Sequence, residues 1–387
     1  MKKTKQNFKY INRIIGDRNG DLVIRKYAQT LLKLIKKDEV LGRPGGDNFT
    51  ALIQKKHLGA FLSQIKLIEV PIIIDGKEKF IPVSVYTGIS EAAPGDSFYD
   101  VLGKASIAIE ALRSRGTKNA DDYLFFNAKI ADEIYKEKQI SYMFQDALIN
   151  NEFKVYYQPK VNMNTNKLTG CEALVRWIHP ELGFISPGDF IPTFEETGLI
   201  TKLDEFIVRK TCEFLAKCKK LGLKKIPISV NLSRRDLAVF AKPELLTEAV
   251  QYFGFDKDQL HFEITESLAG NSSDVLAKAK IIRDEGFKIE IDDFGSGYSC
   301  LGMISDIPMD YLKLDITFAK RLEAQKGVVK YVIALAHDLG AKVIAEGVET
   351  EEQKNIYRDL GCDSIQGYFY SKPLPEDEFI EYLKNHK

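Results

Sequence analysis

The feature that most constrains the fold is a regular alternation of strand and helix patterns from about residue 152 onward. Short apolar runs are typical of buried strands, and the amphipathic stretches between them have helical spacing. The predicted strands are residues 153–159, 167–177, 226–232, 260–266, 287–293, 311–315, 341–346 and 363–366. The predicted helices are residues 203–221, 243–253, 273–285, 318–339 and 350–360. Alternation over about 250 residues predicts an α/β fold with a TIM-type (β/α)8 barrel.

The alternative, an open doubly wound sheet, should carry a Gly-x-Gly-x-x-Gly turn after an early strand. The sequence has none.

Acidic and amide side chains stand at nearly every predicted strand end, where barrel enzymes place their catalytic residues. They are Glu172 (inside its strand), Asn231, Glu263 with Glu266, Asp292 with Asp293, Lys313 with Asp315, Glu346 with Glu349, and Gln366. Any one of these acids is explained equally well as a helix N-cap. The whole set is not, because converging carboxylates repel one another unless a cation compensates. Carboxylates and an amide oxygen, without His or Cys, suit Mg²⁺ or Mn²⁺.

The composition argues against several other classes of protein. Lys+Arg 55 and Asp+Glu 55 balance, so no global charge favours a nucleic acid polymer or a membrane surface. No run is long and apolar enough for a membrane span. The five cysteines are scattered without a Cys-x-x-Cys pair, which predicts reduced thiols in a cytoplasmic protein.

Ordered motifs run from about residue 146 to the C-terminus. They are residues 156–160 (YYQPK), 171–177 (CEALVRW), 190–198 (FIPTFEETG), 229–233 (SVNLS), 262–267 (FEITES), 292–299 (DDFGSGYS), 313–315 (KLD), 345–350 (AEGVET) and 366–368 (QGY). Together these motifs resemble the EAL family of cyclic di-GMP phosphodiesterases. The resemblance implies a barrel whose first strand runs antiparallel. Two departures are Ser296, where many relatives have Thr, and Phe194, where a smaller residue is common.

The resemblance also implies a centre with two cations, Mg²⁺ or Mn²⁺, that activates water for displacement at phosphorus. The first cation would be held by Glu172, Asn231, Glu263 and Asp292. Asp292 would bridge to a second cation held with Asp293 and Glu346. Glu346 is also the implied general base. Lys313 would orient the water or stabilise charge on the phosphoryl oxygens.

Four further residues receive roles from the same resemblance. Arg176 would pair with a phosphate of the substrate, and Gln158 would contact it. Gln366 would close the floor of the pocket. Glu266 would anchor the loop at residues 294–299, which couples the metal site to dimerisation. We therefore expect a homodimer formed through the barrel.

In the N-terminal third, a helix at residues 20–35, a hairpin at 42–49, strands at 68–74 and 80–88 and a helix at 98–113 predict a smaller α+β domain. This order of elements resembles a GGDEF (diguanylate cyclase) domain that has lost its chemistry. The signature motif reads Gly-Gly-Asp-Asn-Phe, with Asn48 in place of an acid, and Thr4 stands where the family has a metal-binding Asp. The family's leading helical segment is not found. We expect that this domain does not synthesise a cyclic dinucleotide and that its partner is GTP or a regulatory protein.

The sequence thus predicts a degenerate GGDEF-like domain at residues 1–126, a helical connector at 127–146 and a phosphodiesterase domain at 147–387. The connector is either a solvated linker or a signalling coil. The predicted function is hydrolysis of cyclic di-GMP to linear pGpG, regulated by the first domain. The alternatives are a receptor that binds cyclic di-GMP without hydrolysing it, and a scaffold in which neither half binds nucleotide.

Overall fold

The computed structural model describes residues 2–5, 8–74, 76–114, 122–233, 237, 243–269, 273–295 and 307–386. The chain divides into two compact units, Met1–Ile140 and Ser141–Lys387. Each unit has its own sheet. None of the helices in these ranges is both long and apolar enough to cross a bilayer.

The first unit is a mixed sheet with helices, as the hairpin and helix patterns predict. Its elements are β1 (Lys2–Lys5), α1 (Phe8–Ile15), α2 (Asp17–Leu34), β2 (Val40–Gly45), β3 (Asn48–Leu52), α3 (Lys55–Ile65), β4 (Leu67–Ile74), β5 (Lys77–Ile89), α4 (Phe98–Ser114) and β6 (Tyr123–Phe125). The strand order is β2-β3-β1-β5-β4, with β6 parallel to β5. Tyr27, Phe49 and Phe61 are buried in its core. The sequence patterns did not indicate α3.

A long helix, α5 (Ala128–Ile149), occupies the predicted connector. Its buried side chains include Ile130, Ile134 and Ile140, and the first two pack against Ala111 of α4. Tyr135, which the sequence pattern grouped with them, is 61% exposed. The helix therefore has a buried apolar stripe, and it is not solvated on all sides.

The second unit is the predicted TIM-type barrel. Its strands are β7 (Phe153–Asn162), β8 (Leu168–His179), β9 (Gly183–Ile185), β10 (Ile228–Asn231), β11 (Leu260–Thr265), β12 (Lys288–Phe294), β13 (Tyr311–Leu314), β14 (Lys342–Ala345), β15 (Ser364–Gln366) and β16 (Leu374–Pro375). The barrel closes in the order β7-β8-β10-β11-β12-β13-β14-β15-β7, and β9 and β16 extend its rim. The predicted barrel is confirmed.

The first barrel strand runs antiparallel to both of its neighbours, β8 and β15, whereas the other barrel pairs are parallel. The turn between β7 and β8 is too short for a crossover, so the two strands can pair only as a hairpin. Asn162 stabilises this turn, because its side chain accepts hydrogen bonds from the backbone of Asn164 and Thr165. The antiparallel first strand is confirmed.

The five predicted helices of the second unit are present with one correction, and the described residues contain three further helices that were not predicted. They are α6 (Pro187–Thr197), α7 (Ile200–Lys220), α8 (Pro243–Phe253), α9 (Glu266–Ala269), α10 (Ser273–Asp284), α11 (Ile316–Lys320), α12 (Leu322–Asp338), α13 (Glu351–Asp359) and α14 (Glu376–Asn385). The prediction of a single helix at residues 318–339 was wrong, because this segment forms two helices that meet at Arg321. The first starts early because Asp315 caps it, accepting from the Thr317 backbone at 2.9 Å.

An aromatic cluster packs on β7 and α6. Phe153 and Trp177 have ring centres 5.0 Å apart, and Phe190 and Phe194 lie against both. Phe194 is one of the two departures from the family pattern, and its ring centre is 4.7 Å from that of Phe144 on α5. Its larger side chain therefore serves core packing.

Candidate active site

A buried lysine lies among four carboxylates at the carboxyl ends of the parallel strands. Lys313 on β13 is fully buried. Its Nζ lies 2.8 Å from Glu263 Oε2 and 3.2 Å from Glu172 Oε2. It also lies 2.9 Å from Asp292 Oδ1 and 2.9 Å from Glu346 Oε1. Side chains from β8, β11, β12 and β13, and from the residue after β14, thus meet at one point.

A bulge in β12 lets two adjacent aspartates serve this site. The pairing of β12 with β13 shifts between Ile291 and Phe294, and Asp293 has a left-handed φ of 56°. In a regular strand neighbouring side chains point to opposite faces, so the additional residue is what turns the second acid inward. Carboxylate oxygens of Asp292, Asp293 and Glu346 lie within 4.8 Å of one another.

We call Glu172, Glu263, Asp292, Asp293 and Glu346 the acid cluster. A second set within it, Glu172, Glu263 and Asp292, also has oxygens within 4.8 Å of one another. The two sets share Asp292, and together they are the carboxylates expected from the sequence for two cations. Carboxylate oxygens at this spacing are suitable ligands for divalent cations.

The electrostatics of the acid cluster fit bound cations. Burial, reinforced by neighbouring carboxylates, raises the pKa of Glu172 to about 7 and that of Glu346 to about 8. Burial also opposes ionisation of Glu263, but Lys313 and Lys160 outweigh it and hold its pKa well below the usual range. One shared lysine does not neutralise five acids, so charge remains for divalent cations to compensate.

The three predicted amide side chains join the same site through Glu172. Asn231 Nδ2 donates to Glu172 Oε1 at 3.0 Å, and Gln366 Nε2 donates to Glu172 Oε2. Gln366 Nε2 also lies 3.2 Å from Gln158 Oε1. Among the described residues none donates to Gln366 Oε1, although this oxygen is buried. A buried acceptor without a donor fits a site that receives a ligand.

Arg176 lies beside the acid cluster, at the junction of two cavities. One cavity, of about 620 Å³, is also lined by Asn231 and Glu195. The other, of about 360 Å³, is also lined by Tyr156 and Tyr368. The Arg176 guanidinium donates to its neighbouring carbonyl, and its centre is 5.8 Å from the ring centre of Tyr156.

Comparison with known proteins identifies the barrel. The EAL domain family model matches residues 142–373. The chain belongs to the EAL family. The model for the diguanylate cyclase GGDEF domain matches residues 4–119.

Curated relatives are similar to nearly the whole of this chain. The cyclic di-GMP phosphodiesterase NbdA of Pseudomonas aeruginosa is 30% identical, over 98% of this chain and 49% of its own. The cyclic di-GMP phosphodiesterase PdeR of Escherichia coli is 30% identical, over 98% of this chain and 58% of its own. The chain spans about half the length of the curated relatives it matches.

Solved structures match the EAL domain. The PaMucR phosphodiesterase in complex with c-di-GMP is 34% identical, with a TM-score of 0.59 over 62% of this chain and 99% of that one. The EAL enzyme Bd1971, bound to cAMP and cyclic di-GMP, is 26% identical, with a TM-score of 0.61 over 79% of this chain and 81% of that one.

Glu266, the expected loop anchor of the EAL domain, is buried at the end of β11. Its Oε2 accepts from the Gly295 backbone at 2.8 Å, at the start of the loop. Gly295 has a φ of +93°, and a Cβ there would lie 2.2 Å from the Phe318 ring. Residues 296–299 of the loop, including the departure at Ser296, lie outside the described residues.

Besides Glu266, two further strand-end acids of the EAL domain do not belong to the acid cluster. Asp315 caps α11, as described above, so the N-cap interpretation is the right one for it. Glu349 is exposed, and its backbone N–H donates to Gln353 Oε1 at 2.8 Å within the cap of α13.

Sequence reasoning missed a buried polar layer below the acid cluster of the EAL domain. This inner layer consists of Lys160, Ser229, His261 and Glu290. A signal was present in the sequence. Ser229, His261 and Glu290 stand two residues before Asn231, Glu263 and Asp292, respectively. Because side chains alternate between the two faces of a strand, each pair points to the same inward face.

The two residues of the GGDEF-like domain that stand in place of acids lie opposite each other. Strand β1 pairs with β3 so that Thr4 faces Asn48 across the ladder. The hairpin itself is formed by β2 and β3, with Gly45 opposite Asn48 and a left-handed Gly46 between them. The hairpin geometry is therefore retained at the position where the acids are replaced.

Proposed function

We propose that the EAL domain of this chain hydrolyses cyclic di-GMP to linear pGpG, with two Mg²⁺ or Mn²⁺ ions. The observation that carries the proposal is the acid cluster around the buried Lys313. Membership of the EAL family and the names of the relatives support the substrate.

The residues divide into two cation-holding sets. Glu172, Glu263 and Asp292, with Asn231, would hold one cation, and Asp292, Asp293 and Glu346 would hold the other. When bound, the cations supply Lewis acidity that stabilises charge on the phosphoryl oxygens.

The protein's own groups have distinct tasks in the reaction. Water adds to one phosphorus, the bond from that phosphorus to the 3′ oxygen breaks, and the products are a 5′-phosphate and a 3′-hydroxyl. Glu346 is the base that takes the proton from water, because its side chain keeps 17% of its surface exposed at the rim. Lys313 holds the carboxylates together and supplies fixed positive charge.

The proposed contacts to the substrate are based on where the side chains lie relative to the cavities and to the acid cluster. Arg176 would pair with a phosphate at the junction of the two cavities, where its guanidinium is half-buried. Gln158 and Gln366 form the hydrogen-bonded floor below Glu172. Glu266 would set the position of the following loop through Gly295.

The GGDEF-like domain is proposed to regulate the reaction and not to make its substrate. Asn48 and Thr4 replace acids that the synthesis needs, which supports this role. GTP or a regulatory protein is its proposed partner, and the EAL domain is proposed to form a homodimer. The cytoplasmic location stays a prediction from the cysteine pattern.

The test is incubation of the purified chain with cyclic di-GMP and Mg²⁺ or Mn²⁺, with EDTA added to a parallel sample. Chromatography should show pGpG only in the samples with metal. Binding of cyclic di-GMP by calorimetry without any product would contradict hydrolysis and favour the receptor alternative. Absence of both binding and product would favour the scaffold.

A further inference from the structure

Lys160 lies inside the barrel, directly below the acid cluster. It is 4% exposed and stands on the antiparallel strand β7. Its Nζ lies 2.6 Å from Glu290 Oε2, 2.7 Å from Ser229 Oγ and 3.0 Å from Glu263 Oε1. It thus joins the inner layer to one member of the acid cluster, Glu263.

The two oxygens of Glu263 face different layers. Oε1 accepts from Lys160 and from the Ser229 hydroxyl. Oε2 lies 2.8 Å from Lys313 Nζ, on the side of the acid cluster. Fixing one oxygen from below therefore fixes the direction in which the other points.

Glu290 in turn is held from its far side. Its Oε1 lies 2.7 Å from His261 Nδ1, and His261 Nε2 lies 3.1 Å from the carbonyl oxygen of Asp258. Both side chains are almost fully buried. The lysine is thus held between two fixed glutamates, and only Glu263 belongs to the acid cluster.

Stability alone does not account for such a layer. Burying an ion pair costs desolvation free energy, and apolar side chains of similar volume are often as stable or more stable. Groups that hydrogen-bond to metal ligands, in contrast, commonly control the orientation of those ligands and the metal affinity. The inner layer is also too deeply buried to contact a substrate.

We infer that Lys160 and Glu290 are positioning residues that hold Glu263 in the orientation needed to bind a divalent cation. This inference rests on the proposed function, because it assumes that the acid cluster binds cations.

The test compares the full chain with the double variant K160M/E290M. Both changes are made together because Lys160→Met alone would leave Glu290 buried without its cation and could unfold the protein. Mn²⁺ affinity is measured by calorimetry and by the rise of the unfolding midpoint with Mn²⁺. We expect the affinity to fall by about 10- to 100-fold. Excess Mn²⁺ should restore most of the turnover.

A control and a milder variant complete the design. K217M/E376M removes the same residue types from an ion pair on the outside of the barrel, where both side chains are more than 40% exposed. It should leave Mn²⁺ affinity unchanged. Ser229→Ala removes only the hydroxyl group that donates to Glu263 Oε1. We expect this variant to fold and its Mn²⁺ affinity to fall by a smaller factor.

The outcomes are distinct. Wild-type Mn²⁺ affinity in a folded K160M/E290M would overturn the inference while leaving the proposed function intact. If the double variant does not fold, wild-type affinity in Ser229→Ala alone overturns it. Failure of the wild-type chain to bind Mn²⁺ would be seen before any variant is measured, and it would overturn both.

Discussion

Lys313 is the residue on which the charge balance of the active site depends. It is the cation shared by Glu172, Glu263, Asp292 and Glu346, and it has no exposed surface. Burial opposes its charge, yet the surrounding carboxylates raise its pKa well above the ordinary value. A fixed positive charge at this point offsets part of the repulsion among the surrounding acids, although burial still raises the pKa of Glu172 and that of Glu346.

Lys313→Met should destabilise the metal-free protein by about 3–5 kcal/mol, because it leaves buried carboxylates without their cation. Mn²⁺ should restore part of this loss, since a divalent cation compensates the same charges. The measurement is urea unfolding with and without Mn²⁺. If Mn²⁺ stabilises neither the variant nor the wild type, the acid cluster is not a cation site.

Glu346→Gln should lower turnover by about 10²- to 10⁴-fold, as expected for loss of a general base. Binding of cyclic di-GMP should largely remain. Glu349→Gln is the matched control, because this exposed acid is three residues away and serves only the cap of α13. Equal losses in both variants would contradict the assignment of the base.

At the scale of elements, strand β12 and the turn after it shape the site. The bulge brings Asp292 and Asp293 to one pocket, and Gly295 then turns the chain with a φ of +93°. Glu266 binds the same turn from β11. The position of two acids therefore depends on a backbone conformation that ordinary strand residues do not adopt.

Gly295→Ala should destabilise the protein by about 1–3 kcal/mol through the strained φ. It should also weaken Mn²⁺ binding, because the added Cβ would lie 2.2 Å from the Phe318 ring. Gly327→Ala is the control, since this glycine lies within α12 and a Cβ there meets nothing within 4 Å. The control should stabilise the protein by about 0.5–1 kcal/mol. Urea unfolding and calorimetry measure both effects, and a neutral Gly295→Ala would contradict the role of the turn.

At the scale of the whole molecule, the two units of the chain differ in how many of the acids expected from their families are present. The EAL domain keeps all of the expected acids, and five of them form the acid cluster. The GGDEF-like domain keeps its hairpin but has Asn48 and Thr4 opposite each other. This difference is the basis for the proposal that the GGDEF-like domain regulates the reaction and does not make its substrate.

The full chain carrying Glu346→Gln should form no cyclic di-GMP from GTP and Mg²⁺. This variant is chosen so that any product would not be hydrolysed before detection. An active diguanylate cyclase in the same assay is the positive control. Any cyclic product from this chain would show that Asn48 and Thr4 do not abolish synthesis.

The sequence by itself determined the elements and most members of the site. Apolar spacing of period two or 3.6 is a local property, so the barrel strands were predicted within a few residues. Acids such as Glu263 and Asp292 were found because parallel strands bring their carboxyl ends to one rim. The break at Arg321 and the helix α3 were not predicted. The N-cap residue of α3, Gln54, makes no side-chain capping hydrogen bond that would mark the start of the helix.

Only the tertiary structure decided which of these side chains meet. Lys160 and Glu263 are 103 positions apart, and their 3.0 Å contact exists only because the barrel closes with β7 antiparallel. The bulge at Asp293 likewise depends on the pairing of β12 with β13. Long-range register, barrel closure and burial set these distances, and none of the three is a property of a short stretch of sequence.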